Sequence, residues 1–443
     1  MSHAWLSQTA TDLGRGIAAS EIDPIELCET FLSAIEDSTV AGRIYARTTE
    51  ARARTEANAA RQRQRAGNRL SLLDGVPISW KDLFDSAGTA TEAGSALLKN
   101  RVPPRDAEVL RNAKAMGLVC LGKTHMSELA FSGLGYNPIT ATPPCVNDLE
   151  AVSGGSSSGA AGSVAFNLAA AGIGSDTGGS VRIPAAWNDL VGLKTTAGRV
   201  SLKGVVPLCE KIDTVGPLCR SVEDAAHIFA ALEGKPPIDL GGAGGADLRL
   251  AVLETVAFDD LRDQPAQGFE RAVSKLETAG AQIDRIRINA VTDVMPLAAV
   301  VFSSEAYGIW HNVIEAAPDK MFPEILERFR SGAAVSATDY VAAWRSIGQL
   351  QQAYMTATAA YDAVILPTSP ILPPNLDRLA SDHSYYVTEN LLALRNTRIA
   401  NLLGLCAMTL PTGISSAGIM LFDHPNAEER LLRTARAVEI ALT

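Results

Sequence analysis

Residues 153–180, SGGSSSGAAGSVAFNLAAAGIGSDTGGS, constrain this chain more than any other stretch. Two glycine-flanked serine sites, GGSSSG at 154–159 and DTGGS at 176–180, stand either side of a helix-like run of small residues. Glycine permits backbone conformations that a side chain forbids and leaves peptide N–H groups open to a visitor. Loops of this kind suit a negatively charged group, resident or transient.

Ser180 follows two glycines where a strand is expected to turn into a helix, so the N–H groups of Thr177, Gly178, Gly179 and Ser180 could converge on one point, as an oxyanion hole requires. A phosphate-binding turn is the competing reading, but the chain has neither GxxxxGK[ST] nor GxGxxG after a strand. It also lacks the GxSxG serine motif, and no histidine offers itself as a partner. A serine nucleophile here needs a different base.

LDGVPISWKDLF, residues 73–84, supplies a candidate. Residues 75–80 read as a short buried strand with Lys81 at its end in an apolar setting. A lysine in such a place is more often a snorkelling surface residue. As a base it must be neutral, and desolvation can lower its ordinary pKa of about 10.4 by several units. A hydroxyl that passes the proton between Lys81 and Ser180 would complete a Ser-Ser-Lys arrangement, and GGSSSG offers three: Ser156, Ser157 and Ser158.

Composition narrows the function classes. A net charge of −10 and a pI near 5.2 argue against a protein that holds nucleic acid. The six cysteines form no CxxC pair and read as reduced core thiols. No HxH or HExxH pairing supports a zinc site, so neither metal nor cofactor is expected. The first residues lack a basic segment followed by an apolar one, and no apolar run is long enough to span a bilayer, which predicts a soluble cytoplasmic protein.

Asp23-Pro24 predicts a helix start, and residues 50–65 a helix with little apolar surface, read as a solvated outer layer. Strand and helix signals alternate from residue 105 to 232, with a short helix over 127–131, and this alternation predicts parallel α/β architecture. GKPPIDLGGAGGAD, residues 234–247, reads as an exposed linker. A long helical region up to about residue 360 carries Tyr307, Trp310 and His311, and strand-like runs at 363–367, 407–411 and 418–422 precede a closing helix over 426–442. These imply four parts: a helical layer (1–70), a core with the glycine-rich sites (71–233), a linker with a helical and strand region on the substrate side (234–360), and strands and a helix completing the core (361–443).

LDGVPISWKD, SGGSSSGAA and GSDTGGSVRIPAAW, in this order, resemble the amidase signature family. GKTHMSELAF (122–131) and YDAVILPTSP (361–370) add to the similarity, which covers most of the chain. In that family a catalytic lysine ends a GxPxxxKD motif, a bridging serine follows GG, and the nucleophile closes D[TI]GGS. The resemblance therefore implies catalytic roles for Lys81, Ser156 and Ser180, at separations of 75 residues (81 to 156) and 24 (156 to 180), and the second spacing selects Ser156 over its neighbours. It implies a cis peptide between Gly155 and Ser156, and Asp176, Arg182 and Ser157 as supports; the bland alternative for Asp176 and Arg182 is a surface ion pair. The run 160–171 then acts mainly as a spacer. Phe131, Tyr307, Trp310 and His311 are candidates for the acyl pocket, with core packing as the alternative, and no basic cluster singles out a carboxylate-bearing substrate.

The implied fold is α/β: a large mixed, mostly parallel, twisted sheet covered on both faces by helices. The implied activity is hydrolysis of a small-molecule carboxamide through an acyl-enzyme, with no nucleic-acid or membrane partner and a homodimer as the assembly. Two alternatives stay open: the glutaminase subunit of a tRNA-dependent amidotransferase, and a non-catalytic binding protein on the same fold. The chain departs from the family pattern at Trp187-Asn188-Asp189, at Thr195-Thr196 and at Cys145-Val146-Asn147-Asp148, which puts the substrate in question more than the mechanism.

Overall fold

Most of the short apolar runs of the chain become strands buried on both sides, and a few more polar segments join them at the sheet edges or in a separate ribbon. In the computed structural model, which describes residues 2–242 and 248–443, these are β1 (Tyr45–Thr48), β2 (Pro77–Lys81), β3 (Val119–Thr124), β4 (Pro144–Cys145), β5 (Asp148–Val152), β6 (Ala171–Asp176), β7 (Val191–Lys194), β8 (Thr214–Cys219), β9 (Arg249–Leu253), β10 (Gln282–Ile286), β11 (Ala363–Pro367), β12 (Cys406–Pro411) and β13 (Gly418–Asp423). β4 and β5 form a small ribbon. The other eleven make one sheet in the order β1-β3-β2-β6-β8-β7-β12-β13-β11-β9-β10.

The sheet is mixed and has helices on both faces. Parallel pairings form two blocks, β3-β2-β6 and β11-β9-β10. Antiparallel pairings join the blocks through β8, β7, β12 and β13 and add β1 at one edge. Every residue of β2, β3, β6, β7, β8, β11 and β13 is buried, which is why these segments read as continuous apolar runs and not as alternating ones. All six cysteines are free and buried, as their spacing suggested.

The sheet is continuous across the expected linker. β9 and β10 extend it beyond β11, and β12 pairs with β7 across the middle, so both parts of the chain build one core. The helix Val222–Glu233 ends in a left-handed Gly234, φ 69°, whose position just past the helix explains the punctuation there. The last five residues of the 234–247 stretch lie outside the described residues.

Several local expectations change. The helix Glu50–Arg65 is as read, but it is no mere solvated layer: Ala53, Ala57 and Ala60 are buried on it, because alanine lets it lie close to β3 and to the helix Pro24–Asp37. Residues 127–131 hold only one turn, Glu128–Ala130, with Leu129 and Ala130 at positive φ of 45° and 61°. The run 160–171 is helical only over Ser158–Ala165 and re-enters the sheet at Ala171. Its small residues serve contact as well as spacing. A Cβ on Gly159 would lie 2.5 Å from the Ile44 carbonyl oxygen, and one on Gly172 would lie 2.5 Å from that of Ala160. The helix His383–Leu402 has too little amphipathic contrast to stand out in the sequence, because polar residues such as Asn390, Asn396, Thr397 and Asn401 are buried along it.

Candidate active site

β2 and β6 are parallel neighbours, with Ile78, Ser79 and Trp80 opposite Ala171, Gly172 and Ile173. This register carries Lys81, the last residue of β2, toward Ser175 at the end of β6. The fully buried ammonium nitrogen lies 2.8 Å from Ser175 Oγ and 2.7 Å from Ser156 Oγ. Burial lowers the Lys81 pKa from 10.5 to about 7, only partly offset by the charges of Asp176 and Asp213. The snorkelling alternative is excluded: Lys81 has 0% exposure. A lysine so placed is substantially neutral near pH 7 and able to accept a proton.

Ser156 arrives on a tightly held loop. The Gly155–Ser156 peptide is cis, the Gly155 N–H donates to the Gly133 carbonyl at 2.8 Å, and the Ser127 N–H donates to the Ser156 carbonyl at 3.2 Å. A Cβ on Gly155 would stand 2.5 Å from the Gly135 nitrogen, so the close approach of these segments requires glycine. Ser157 ties the two serine sites together. Its N–H donates to the Ser180 carbonyl at 3.2 Å, and its hydroxyl donates to the Ser175 carbonyl at 3.1 Å. Asn188, one of the departures from the family pattern, donates to the Ser153 carbonyl at 2.8 Å and so braces this loop from behind.

The second site is organised by Asp176. Its carboxylate accepts from the N–H of Gly179 at 2.9 Å and of Val181 at 3.1 Å, drawing the loop around itself. Arg182 answers with Nε and Nη2, each 3.0 Å from a carboxylate oxygen, and Asn401 adds a further donor at 2.9 Å. Both charged side chains are fully buried, so this is not a surface ion pair. Burial alone would raise the Asp176 carboxyl, but the charge and hydrogen bonds of Arg182, aided by Lys194 and Asn401, hold it well below the usual carboxylate range.

One of the four N–H groups assigned to the oxyanion hole needs correcting. The Gly179 N–H is engaged by Asp176, because the loop must satisfy that buried carboxylate. Thr177, Gly178 and Ser180 line a small cavity of about 20 Å³ together with Phe131, Arg328 and Arg398. Thr177 is oriented from below, its hydroxyl donating to Asp213 at 2.5 Å.

Of the pocket candidates only Phe131 reaches this cavity. Trp310 is buried elsewhere, its indole N–H donating to the Pro207 carbonyl at 2.9 Å. Tyr307 bonds Glu315 at 3.1 Å and His311 is exposed, because the solvent-side face of the helix Leu297–Ala316 carries them. That same helix turns Phe302 to the cavity instead. Leu394 and Arg398, from the unanticipated helix His383–Leu402, complete the wall with Arg328, and no local motif announces them. No basic cluster stands out in the sequence, because Arg328 and Arg398 are far apart along the chain and come to one cavity only in the fold.

The amidase family profile matches residues 26–432, nearly the whole chain and all the residues of this site. The chain belongs to the amidase family. It is 35% identical to the 2-amino-5-chloromuconic acid deaminase of Comamonas testosteroni, over 88% of this chain and 86% of that one. It is 30% identical to the A subunit of the glutamyl-tRNA(Gln) amidotransferase of Anaeromyxobacter sp. (strain K), over 97% and 95%. The peptide amidase of Stenotrophomonas maltophilia superposes with a TM-score of 0.80 at 26% identity, covering 98% of this chain and 96% of that one. The amidase fold accounts for the large mixed sheet, and the family for the order of the three motifs. Among the described residues of this amidase-family hydrolase, no helix is long and apolar enough to cross a membrane.

Proposed function

We propose that this amidase-family hydrolase cleaves the C–N bond of a small carboxamide by acyl transfer to Ser180. The observation that carries the reading is the fully buried Lys81, 2.7 Å from Ser156 Oγ and with a pKa near 7. Ser180 Oγ attacks the carbonyl carbon while its proton passes to Ser156 and that of Ser156 to Lys81. The carbonyl oxygen, now negative, is stabilised by the N–H groups of Thr177, Gly178 and Ser180. Collapse breaks the C–N bond, and the relay returns the proton to the departing ammonia or amine. Water then attacks the Ser180 ester by the same relay, releasing the carboxylic acid and restoring the serine. Asp176 and Arg182 hold the loop, and Ser157 fixes the spacing of its two halves. The comparison with a deaminase and a peptide amidase supports a C–N bond as the target.

Ser180→Ala should release no ammonia or amine above background from a panel of aliphatic, aromatic and urea-like amides that the wild type cleaves. A fluorophosphonate should label the wild type at Ser180 and leave the variant untouched. Turnover by Ser180→Ala at the wild-type rate would sink the proposal. The second reading, the ammonia-producing component of an amidotransferase, is favoured by the near full-length similarity to the Anaeromyxobacter protein. It requires glutaminase activity that emerges only when partner subunits co-purify.

A further inference from the structure

The wall opposite the Ser180 loop carries two positive charges that the relay does not use. Arg328 lies on the short helix Pro323–Arg330 and Arg398 on the helix His383–Leu402; both line the small cavity in front of Ser180. Both also line an adjoining cavity of about 300 Å³, with Phe131 and Phe302 shared between the two. They therefore stand at the neck between the nucleophile and the outer space. The inner cavity, about 20 Å³, has room for little beyond the reacting group. The rest of a substrate must pass the arginines.

Neither guanidinium has a carboxylate partner among the described residues. Their chain neighbours do: Arg330 pairs with Glu315 at 2.7 Å and Arg395 with Asp260 at 3.6 Å. Arg328 donates once, to the Phe131 carbonyl at 2.9 Å, and its guanidinium carbon sits 4.4 Å from the centre of the Phe131 ring. That stacking fixes the plane of the fork and leaves its remaining donors free. Arg398 donates no hydrogen bond among the described residues and only approaches the Phe302 ring, at 5.9 Å. Burial lowers the pKa of Arg328 to about 10, against a small opposing effect of Tyr386; burial and then the charge of Arg328 lower that of Arg398 to about 9. Two partly buried like charges without a counter-charge are an unfavourable arrangement in the free protein. An anion between them relieves it.

We propose that Arg328 and Arg398 form a carboxylate subsite at the neck of the Ser180 cavity, so that the amide hydrolysed here carries a carboxylate on its acyl or amine portion. The planar fork of arginine suits a carboxylate, which can accept two parallel N–H bonds. This rests on the amidase reading for its substrate but not for its site, and the test separates the two. In Ser180→Ala, which removes turnover, calorimetry would compare half-amides of straight-chain diacids of three to six carbons with neutral amides of equal length. At least one half-amide should bind roughly 10- to 100-fold tighter than its neutral partner. Arg398→Gln in the same background should abolish the preference while Arg398→Lys keeps part of it, with Arg328→Gln as a second variant should Arg398→Gln fail to fold. In the active enzyme, Arg398→Gln should raise KM for the preferred half-amide far more than it lowers kcat. Equal binding of charged and neutral amides, or a preference untouched by either arginine variant, would overturn the subsite. Inorganic phosphate binding as tightly as the best half-amide would overturn its assignment to carboxylates. Loss of fluorophosphonate labelling at Ser180 would count against the amidase mechanism alone.

Discussion

Replacing Lys81 with methionine removes the buried amine at nearly constant volume and separates its proposed catalytic role from its cost. The fall in pKa from 10.5 to about 7, at about 1.4 kcal/mol per pH unit, disfavours the charged form in the folded protein by about 5 kcal/mol. Below pH 7 folded and unfolded chains both hold the proton, and the full cost applies. Between pH 7 and 10.5 the unfolded chain holds a proton that the folded one does not, so wild-type stability rises with pH across that window. Lys81→Met carries no such dependence. Urea unfolding of both proteins should therefore show the variant the more stable at pH 6, with its advantage shrinking by about 3 kcal/mol by pH 9; other titrating groups cancel in the difference. The variant should have no detectable amidase activity. In the wild type, kcat/KM should rise about tenfold per pH unit below 7 and level off above it, since only the neutral amine accepts the proton. A stability difference that stays flat from pH 6 to 9, with kcat/KM still climbing at pH 10, would show that Lys81 keeps an ordinary pKa and would refute the reasoning.

Two further outcomes follow from the loop around Ser180. Asp176→Asn strands the fully buried Arg182 without its counter-charge and turns one of the two oxygens that gather Gly179 and Val181 into an NH2 donor; it should cost about 3 to 5 kcal/mol in chemical unfolding, and a loss under 1 kcal/mol would contradict the role given to the pair. Gly179→Ala would place a Cβ 2.1 Å from Thr397 Oγ1 at a backbone φ of +134°. Fluorophosphonate labelling of Ser180 should slow at least about tenfold, and adding Thr397→Ala should recover only part of the rate, because the backbone strain remains.

The elements legible in the sequence are those whose cause is local. Asp23 caps the helix Pro24–Asp37 through its own side chain, bonding the Ile25 N–H at 2.8 Å, and β11 coincides with the apolar run 363–367 because both of its faces are buried. The short strand β1 and the helix His383–Leu402 were not legible. The placement of Tyr45 and Arg47 beside β3, and the burial of Asn396 and Asn401 beneath the sheet end, depend on partners far along the chain. For the same reason the aromatic cluster at Tyr307 to His311 misled: helical spacing tells which residues share a face, not which face meets the cavity.

The sequence by itself determined where the proposed chemistry lies. Glycines at positions where a Cβ would meet backbone, serines at a constrained spacing and a lysine at a strand end mark the proposed nucleophile, relay and base, because each requirement is written within a few residues of its own motif. Tertiary structure alone decided how that chemistry is tuned and aimed. The register of β2 against β6 buries Lys81 and sets its proton affinity. The packing of two distant helices turns Arg328 and Arg398 onto one cavity. Desolvation and charge pairing depend on everything within a few ångströms, and most of what lies that close to the Ser180 loop comes from elsewhere in the chain.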